Sequence, residues 1–407
     1  MSNNANEKFD SQSKTSNINL IVDDVETSIT ANTFSFSLFD SIYELYPKGK
    51  ILINDFSGSL NEYLAFVNGT KIELQYGLTE ESLSKCKYRV VNNSTPEQST
   101  NMSVGGDIEL SLIHDYFNIQ SRISKAYNNN ISSIIKQLAN KYNFVSYNID
   151  ETLNQGMWYQ PYEYDSTFIT KYLLPFAYST NSNKTPFYCF ITSSNTFNFK
   201  NWNNMINNSP KKKYYLQTNG NIENMDTTIY EIKYAQVEVS KCREFYNRLR
   251  YYFDSNGEYQ KEPINALLSD FPSNTDNPIP IKVNTNNLTS LEQMYDDDIY
   301  AKETENNRKG LEINALRDVI GIDKIIIKVT FDNTINCGDV IQLNIPSVSL
   351  SKDISESSLR TSGNYLVEST YHMWNSKFPY TILVCSKNEV KLTSDYRNVK
   401  LIMQRGK

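Results

Sequence analysis

Two short segments of this chain, nearly 270 residues apart, follow one pattern. Residues 69–76 read Gly-Thr-Lys-Ile-Glu-Leu-Gln-Tyr, and residues 338–345 read Gly-Asp-Val-Ile-Gln-Leu-Asn-Ile. In each, a glycine is followed by strict alternation of apolar and polar side chains, the period of a β-strand with one buried face. The apolar positions are Ile72, Leu74 and Tyr76 in the first segment, and Ile341, Leu343 and Ile345 in the second.

The surroundings of the two segments are alike as well. A β-rich run precedes each, at residues 50–53 and 324–327, and a strand that begins with a tyrosine follows each, at Tyr88 and Tyr365. The chain is therefore predicted to contain two copies of one β-domain. We expect the two glycine segments to be the same strand of both copies, with Ile72 and Ile341 at equivalent core positions.

Composition limits the classes of protein that fit. A chain of 407 residues is expected to form about two to four domains, and its 13% aromatic content favours strands. The net charge of −6 disfavours a general nucleic-acid binder, and the one basic run, residues 211–213, is interpreted as a solvated loop. A mildly acidic surface would suit a protein wall along which DNA slides without binding.

Cysteine usage and the N-terminus indicate where the chain is made. Its five cysteines have no CxxC spacing and are predicted to be free thiols, buried or incidental, in a reducing compartment. Residues 1–17 are polar, without the apolar core of a leader peptide, and no run approaches the ~18 apolar residues of a membrane span. We therefore expect no membrane span and no export from the cell of synthesis.

The predicted fold class is α+β, predominantly β, with two antiparallel β-barrel domains, a mixed α/β middle domain and a partly helical insert. A change from strand to helix periodicity near residue 113 and a break of about eighty residues after residue 240 set the boundaries. The expected units are a flexible arm (1–17), a first barrel (18–112), a middle domain (113–205), a second barrel (206–240 with 321–392), an insertion (241–320) and a tail (393–407).

Helices are predicted at three places. One begins after an Asn130 N-cap and continues to Tyr142, and a second covers residues 168–177 with Asp165 or Ser166 as cap and Pro175 in its last turn. Within the insertion we expect a helix from Cys242 to Phe253, then a proline-marked loop (Pro263, Pro272, Pro278 and Pro280), then charged helical stretches over residues 288–319.

Residues with catalytic or ligand-binding chemistry are sparse, and no catalytic, cofactor-binding or metal-ligating residue is predicted. His114 and His372 are the only histidines and are interpreted as strand-end or packing residues. Residues 296–298 (Asp-Asp-Asp) lack the spacing of a calcium loop and are interpreted as a solvated helix face. Residues 157–162 (Met-Trp-Tyr-Gln-Pro-Tyr) suit an aromatic plug between domains better than a sugar platform.

Several motifs occur in an order that resembles a known family. They are the helix at residues 134–144, the segment 165–177, and the C-terminal strands that begin Cys-Gly-Asp-Val-Ile at residue 337 and Gly-Asn-Tyr-Leu-Val at residue 363. Over residues 18–390 the chain resembles the baseplate hub, or late control, proteins of tailed phages and contractile injection machines. Asn143 stands where glycine is usual in that family's helix.

This resemblance implies a function and a set of partners. The protein is expected to be a non-enzymatic homotrimer whose tail-tube-like barrels form a pseudo-sixfold ring. That ring would join a hexameric tail tube protein to a central spike or tip protein, among other baseplate proteins, with DNA passing through the channel. Because this chain ends soon after its last predicted strand, the spike is expected to be a separate partner, and the location is the virion tail, assembled in the host cytoplasm.

Two other functions fit the sequence. A tail-associated cell-wall hydrolase would have a pocket with converging acids or a metal and would clear peptidoglycan. A receptor-binding or tail-fibre adaptor would place aromatic patches on its outer surface and form no channel. The duplicated β-domain favours the hub, since neither alternative requires two equivalent barrels.

Overall fold

A computed structural model shows a predominantly β, α+β architecture, as predicted. It describes residues 18–22, 25–28, 33–55, 66–77, 84–94, 106–153, 155–179, 186–216, 225–235, 248–253, 256–264, 296–297, 313, 317, 324–346, 362–375 and 379–387. Both predicted terminal segments, residues 1–17 and 393–407, therefore lie outside the described residues.

The described residues contain twenty-one strands, which lie in four sheets. The strands are β1 (Ile18–Val22), β2 (Val25–Ser28), β3 (Thr33–Ser41), β4 (Lys48–Asp55), β5 (Lys71–Tyr76), β6 (Ser84–Ser94), β7 (Gly106–His114), β8 (Ile123–Asn130), β9 (Ser146–Ile149), β10 (Gln155–Glu163), β11 (Phe187–Ile191), β12 (Thr196–Asn201), β13 (Lys212–Leu216), β14 (Thr228–Ala235), β15 (Arg248–Phe253), β16 (Tyr259–Ile264), β17 (Asp296–Asp297), β18 (Lys324–Thr330), β19 (Val340–Asn344), β20 (Gly363–Asn375) and β21 (Tyr380–Ser386).

Helical segments are short. They are α1 (Ile131–Ala139), α2 (Asp165–Thr167) with its π-helical continuation (Phe168–Leu173) and closing 3-10 turn (Leu174–Phe176), α3 (Trp202–Ile206), and 3-10 turns at Asp115–Ile119 and Met225–Thr227. No helix among the residues described is long and apolar enough to cross a membrane.

One thirteen-stranded sheet contains both β-domains. The second β-domain is a closed six-stranded barrel, because β20 pairs with both β21 and β19 while β13 and β14 complete the circle. The first β-domain, β1–β7, surrounds its own core, and within the described residues no pairing joins β1 or β2 to β3. β13 departs from the expected antiparallel pattern, since it runs parallel to both β14 and β19.

The two β-domains repeat each other strand by strand. Five strands of each domain are equivalent, and, numbered along the chain, they lie side by side in the order 1-2-5-4-3. The strands β3, β4, β5, β6 and β7 correspond in turn to β14, β18, β19, β20 and β21. Ile72 lies opposite Tyr88, and Ile341 lies opposite Tyr365. Because both isoleucines have no exposed surface, the prediction that they occupy equivalent core positions is confirmed.

The repeat extends to the turns. Gly69 and Gly338 have φ angles of 94° and 86°, in the left-handed region that favours glycine. Gly69 N–H donates to Val90 O at 2.7 Å, and Gly338 N–H donates to Val367 O at 2.8 Å. Both valines then donate their own N–H back to the residue after the glycine, so the two copies share one turn geometry.

β-Bulges also repeat. The pairing of β6 with β7 shifts between Val90 and Asn92, and the pairing of β20 with β21 shifts between Val367 and Ser369. The β-rich runs at residues 50–53 and 324–327 are displaced by two residues from each other, because the register places Lys48 at the position of Lys324. A displacement of two residues leaves the same side chains facing the core, so alternation alone cannot detect it.

The middle of the chain forms a mixed α/β unit around a third core. As predicted, α1 begins with Asn130 as N-cap, whose Oδ1 accepts a hydrogen bond from Ser133 N–H at 2.9 Å. The cap prediction for α2 was wrong. The N-cap is Tyr164, which makes no capping bond, and Asp165 instead forms an ion pair with Lys141 at 2.5 Å.

The insertion differs most from expectation. Residues 248–253, predicted to end a helix, form strand β15, which pairs with β16 through a turn at Gly257. The run Arg-Tyr-Tyr-Phe suits a strand, and Asn256-Gly257 is a hairpin turn sequence. Pro263 lies in β16 rather than in a loop, and Pro272, Pro278 and Pro280 lie outside the described residues. The prediction of a solvated helix face at residues 296–298 was wrong where it can be checked, because Asp296 and Asp297 form the short strand β17 beside β15.

Candidate functional site: the joint between the two β-domains

Strand β20 belongs to both β-domains. Its first residues pair with β19 inside the second barrel, from Gly363 opposite Leu343 to Leu366 opposite Val340. Beyond the bulge the same edge changes partner and pairs with β3, from Ser369 opposite Ser41 to Asn375 opposite Ser35. The two domains are therefore joined by a continuous hydrogen-bonded sheet.

Aromatic side chains reinforce this joint on both faces of the sheet. On the buried face Phe36 stacks on Trp374 with ring centroids 5.6 Å apart, and on the other face Phe39 meets Tyr371 at 4.6 Å. Phe331, which follows β18, fills the core of the first β-domain rather than that of its own barrel. Burial of such rings makes the two domains one structural unit.

Asp40 ties the joint to the middle domain. Its carboxylate accepts hydrogen bonds from Ser193 N–H at 2.8 Å and from the Ser193 hydroxyl at 3.1 Å, and Thr370 on β20 donates to its other oxygen. Burial raises the pKa of Asp40 to about 6, although these hydrogen bonds oppose the shift. One side chain thus connects β3, β20 and the turn between β11 and β12.

The two histidines are buried at structural positions. His114 accepts from Tyr116 N–H through Nδ1 and donates to Asn195 Oδ1 through Nε2 at 3.0 Å, whereas His372 lies within β20, beside the Thr381 hydroxyl at 3.2 Å. Burial lowers the pKa of each imidazole to about 4, so both are neutral at pH 7. In the described part of the chain, no three His, Cys, Asp or Glu side chains cluster as metal ligands would.

The thiols follow the prediction where they are described. Cys86, Cys189, Cys337 and Cys385 are free and buried, and Cys242 lies outside the described residues. Burial raises the pKa of the Cys86 thiol to about 12, which leaves it uncharged and unreactive at neutral pH.

Two other predictions were wrong. Residues 157–162 are part of β10, which pairs with β8 as a two-stranded ribbon, and Met157, Tyr159 and Tyr162 are 71%, 59% and 64% exposed rather than buried as a plug. The alternate side chains, among them Gln160, face the core of the middle domain. The basic run enters β13 instead of forming a loop, and Lys212 forms a 2.5 Å ion pair with the carboxylate of Asp332.

Two features of the joint were missed from sequence. The uninterrupted β-type run at residues 363–375 is longer than an average strand, and its length was the available sign that it serves two domains. No local pattern marks Asp40, because its partners Ser193 and Thr370 are 153 and 330 residues away.

Comparison with solved structures finds a protein with a similar fold. The chain is similar to the tail protein from Neisseria meningitidis MC58, with a TM-score of 0.52 and 8% identity over 92% of this chain and 97% of that one. Similarity to the 43 kDa tail protein of prophage MuSo2 from Shewanella oneidensis is weaker, with a TM-score of 0.49 and 10% identity over 91% and 98% of the two chains. No protein-family model and no curated protein sequence matches the chain. At this identity the first likeness shows a shared fold, in agreement with the resemblance inferred from the sequence.

Proposed function

We propose that this protein is the structural hub at the tip of a phage tail or a related injection machine. Three copies form a ring of six similar β-domains, which matches a hexameric tail tube on one side and a threefold central spike on the other. The observation that supports this most directly is the repeat itself, in which strand order, glycine turn and bulge coincide in both β-domains.

Rigid connection between the repeats supports the same function. A ring that connects the tube to the spike requires the two β-domains of each chain to keep a fixed orientation relative to each other. The β3–β20 pairing holds them in one sheet. Sheet edges or loops of the β-domains contact the first tube ring, and DNA passes through the channel without specific binding. This proposal assigns no catalytic residue, cofactor or metal.

Mass measurement of the purified full chain tests the proposal. We expect a three-chain species alone or with the tail tube protein, and no clearing of peptidoglycan. A chain that stays single at every concentration with the tube protein present, and that clears peptidoglycan, would instead be the hydrolase.

One surface feature favours a receptor-binding adaptor as the second candidate. Met157 and Tyr159 are exposed on one face of the β8–β10 ribbon, and Tyr162 is exposed at its bulge. Exposed apolar and aromatic surface of this kind marks protein contact sites. In the hub, this ribbon contacts another baseplate protein. Binding of the single chain to host cells, lost in Tyr159→Ser and without trimer formation, would favour the adaptor.

A further inference from the structure

The joint between the β-domains uses two strand edges, and each has a counterpart in the other domain. Within the chain, the last seven residues of β20 pair with β3. β6 corresponds to β20 in the repeat, and β14 corresponds to β3. The edges of β6 and β14 are therefore equivalent to the two edges that pair in the joint.

The β6 edge extends beyond its partner. β5 pairs with β6 only from Ser84 to Arg89, and the Gly69 turn bonds Val90. Past the bulge, Asn92–Ser94 pairs with β7 on one side, and among the described residues no strand pairs with it on the other. In β20 the corresponding edge, which begins at Ser369, is the one that β3 covers.

The β14 edge is open in the same way. β13 covers only Thr228 and Ile229, and the residues from Glu231 to Ala235 pair with β18 alone in the part of the chain that is described. In β3 the corresponding edge is the one that β20 covers. Glu231 and Lys233 are exposed to solvent, and charged side chains are typical of edge strands.

We infer that a second copy of this chain repeats the joint, with β6 of one subunit adding antiparallel to the open edge of β14 in the next. Counting from the repeated bulges, Ser94 corresponds to Tyr371, and Ala235 corresponds to Phe39. Tyr371 and Phe39 lie opposite each other in the joint within the chain. Ser94 of one subunit therefore lies opposite Ala235 of its neighbour. The inference rests on the proposed ring. A contact between two different edges is head-to-tail, and it forms a closed ring only when the rotation from each subunit to the next returns to the first.

Residue types distinguish the two kinds of joint. The internal joint has the Phe39–Tyr371 and Phe36–Trp374 ring pairs, whereas the sequence supplies Ser94 and Ala235 at the first of these positions. The contact between copies thus depends mainly on main-chain hydrogen bonds, as in other cases of strand addition. We expect it to be reversible, unlike the joint within the chain.

Cysteine cross-linking of the full chain tests the pairing. Directly opposed residues of antiparallel strands have Cα atoms about 4.5–5.5 Å apart, a separation that a disulfide spans. Under mild oxidation, Ser94→Cys combined with Ala235→Cys should give dimer and trimer bands on a non-reducing gel. Each single variant, and Ser94→Cys combined with Tyr215→Cys on neighbouring β13, should stay at or below one-tenth of that yield.

The outcomes separate this inference from the proposed function. A three-chain species that forms no bond between positions 94 and 235 would overturn the inference and leave the hub intact. A bond that forms within single chains, seen as a monomer of altered mobility, would also overturn it. A chain that stays single even with the tube protein present overturns both.

Discussion

Replacing Ile341 by lysine tests whether this strand position supports the second barrel. Ile341 has no exposed surface and packs in the barrel core, so a lysine there must either stay charged in an apolar site or lose its proton. Removing the proton at pH 7 from a group with a pKa of about 10.4 costs about 4.6 kcal/mol. Poorer packing adds about 1 kcal/mol. The total of about 5–6 kcal/mol is between about a third and all of the stability of a typical domain, which is about 5–15 kcal/mol.

Urea unfolding of the purified full chain measures this loss. Gln342→Lys is the matched control, because it adds the same charge one residue away on the partly exposed outer face, where we expect a change within about 0.5 kcal/mol. Raising the pH from 7 to 9 should reduce the Ile341→Lys penalty by about 2.7 kcal/mol, since the neutral amine then forms at lower cost. Equal stability of the two variants, or tails that assemble normally with Ile341→Lys, would show that this position is not the core site we describe.

Three further perturbations follow from the structure. Gly69→Ala should cost about 1–2 kcal/mol from its positive φ alone, whereas Gly338→Ala should cost about 1–3 kcal/mol more in thermal unfolding, because its Cβ would lie 2.7 Å from the Phe190 ring; equal costs would contradict the packing. Since burial raises the pKa of Asp40 to about 6, its contribution to stability falls as pH rises from about 4 to 6. Asp40→Asn should therefore gain about 2–3 kcal/mol relative to wild type between pH 4 and pH 7; a pH-independent difference would refute this. Deleting residues 266–278 should leave soluble expression and the melting temperature unchanged within a few degrees, because loop-closure entropy depends weakly on length; loss of soluble protein would show that the insertion supports a barrel.

Local patterns predicted local structure well. Alternation after Gly69 and Gly338 located equivalent strands, and Asn130 marked the start of α1, since strand periodicity and caps are set by neighbours in sequence. The β15–β16 hairpin was not predicted although Asn256-Gly257 is a turn sequence, because the apolar residues of this segment also fit the three- and four-residue spacing of a helix.

Features that depend on distant partners could not be obtained this way. The insertion is predicted to pack outside the second barrel, and no local pattern indicates what it contacts. In the structure, Arg317 donates hydrogen bonds to Leu174 O and Phe187 O of the middle domain. Likewise, the exposure of Met157 and Tyr159 depends on which face of the ribbon the middle domain covers. The sequence shows that Met157 and Tyr159 have large apolar side chains, but the tertiary structure determines which large apolar side chains are buried.

Shared use of β20 has a consequence for synthesis on the ribosome. β3 is complete once residue 41 has been made, but its partner on β20 is complete only at residue 375. At about 5–20 residues per second, the edge of β3 waits roughly 20–70 s for its partner. During that interval the nascent chain presents an open template for strand addition, so other nascent chains compete for it. Slow translation between these two points should therefore increase aggregation, and chaperones that bind exposed strands should act on the first β-domain in particular.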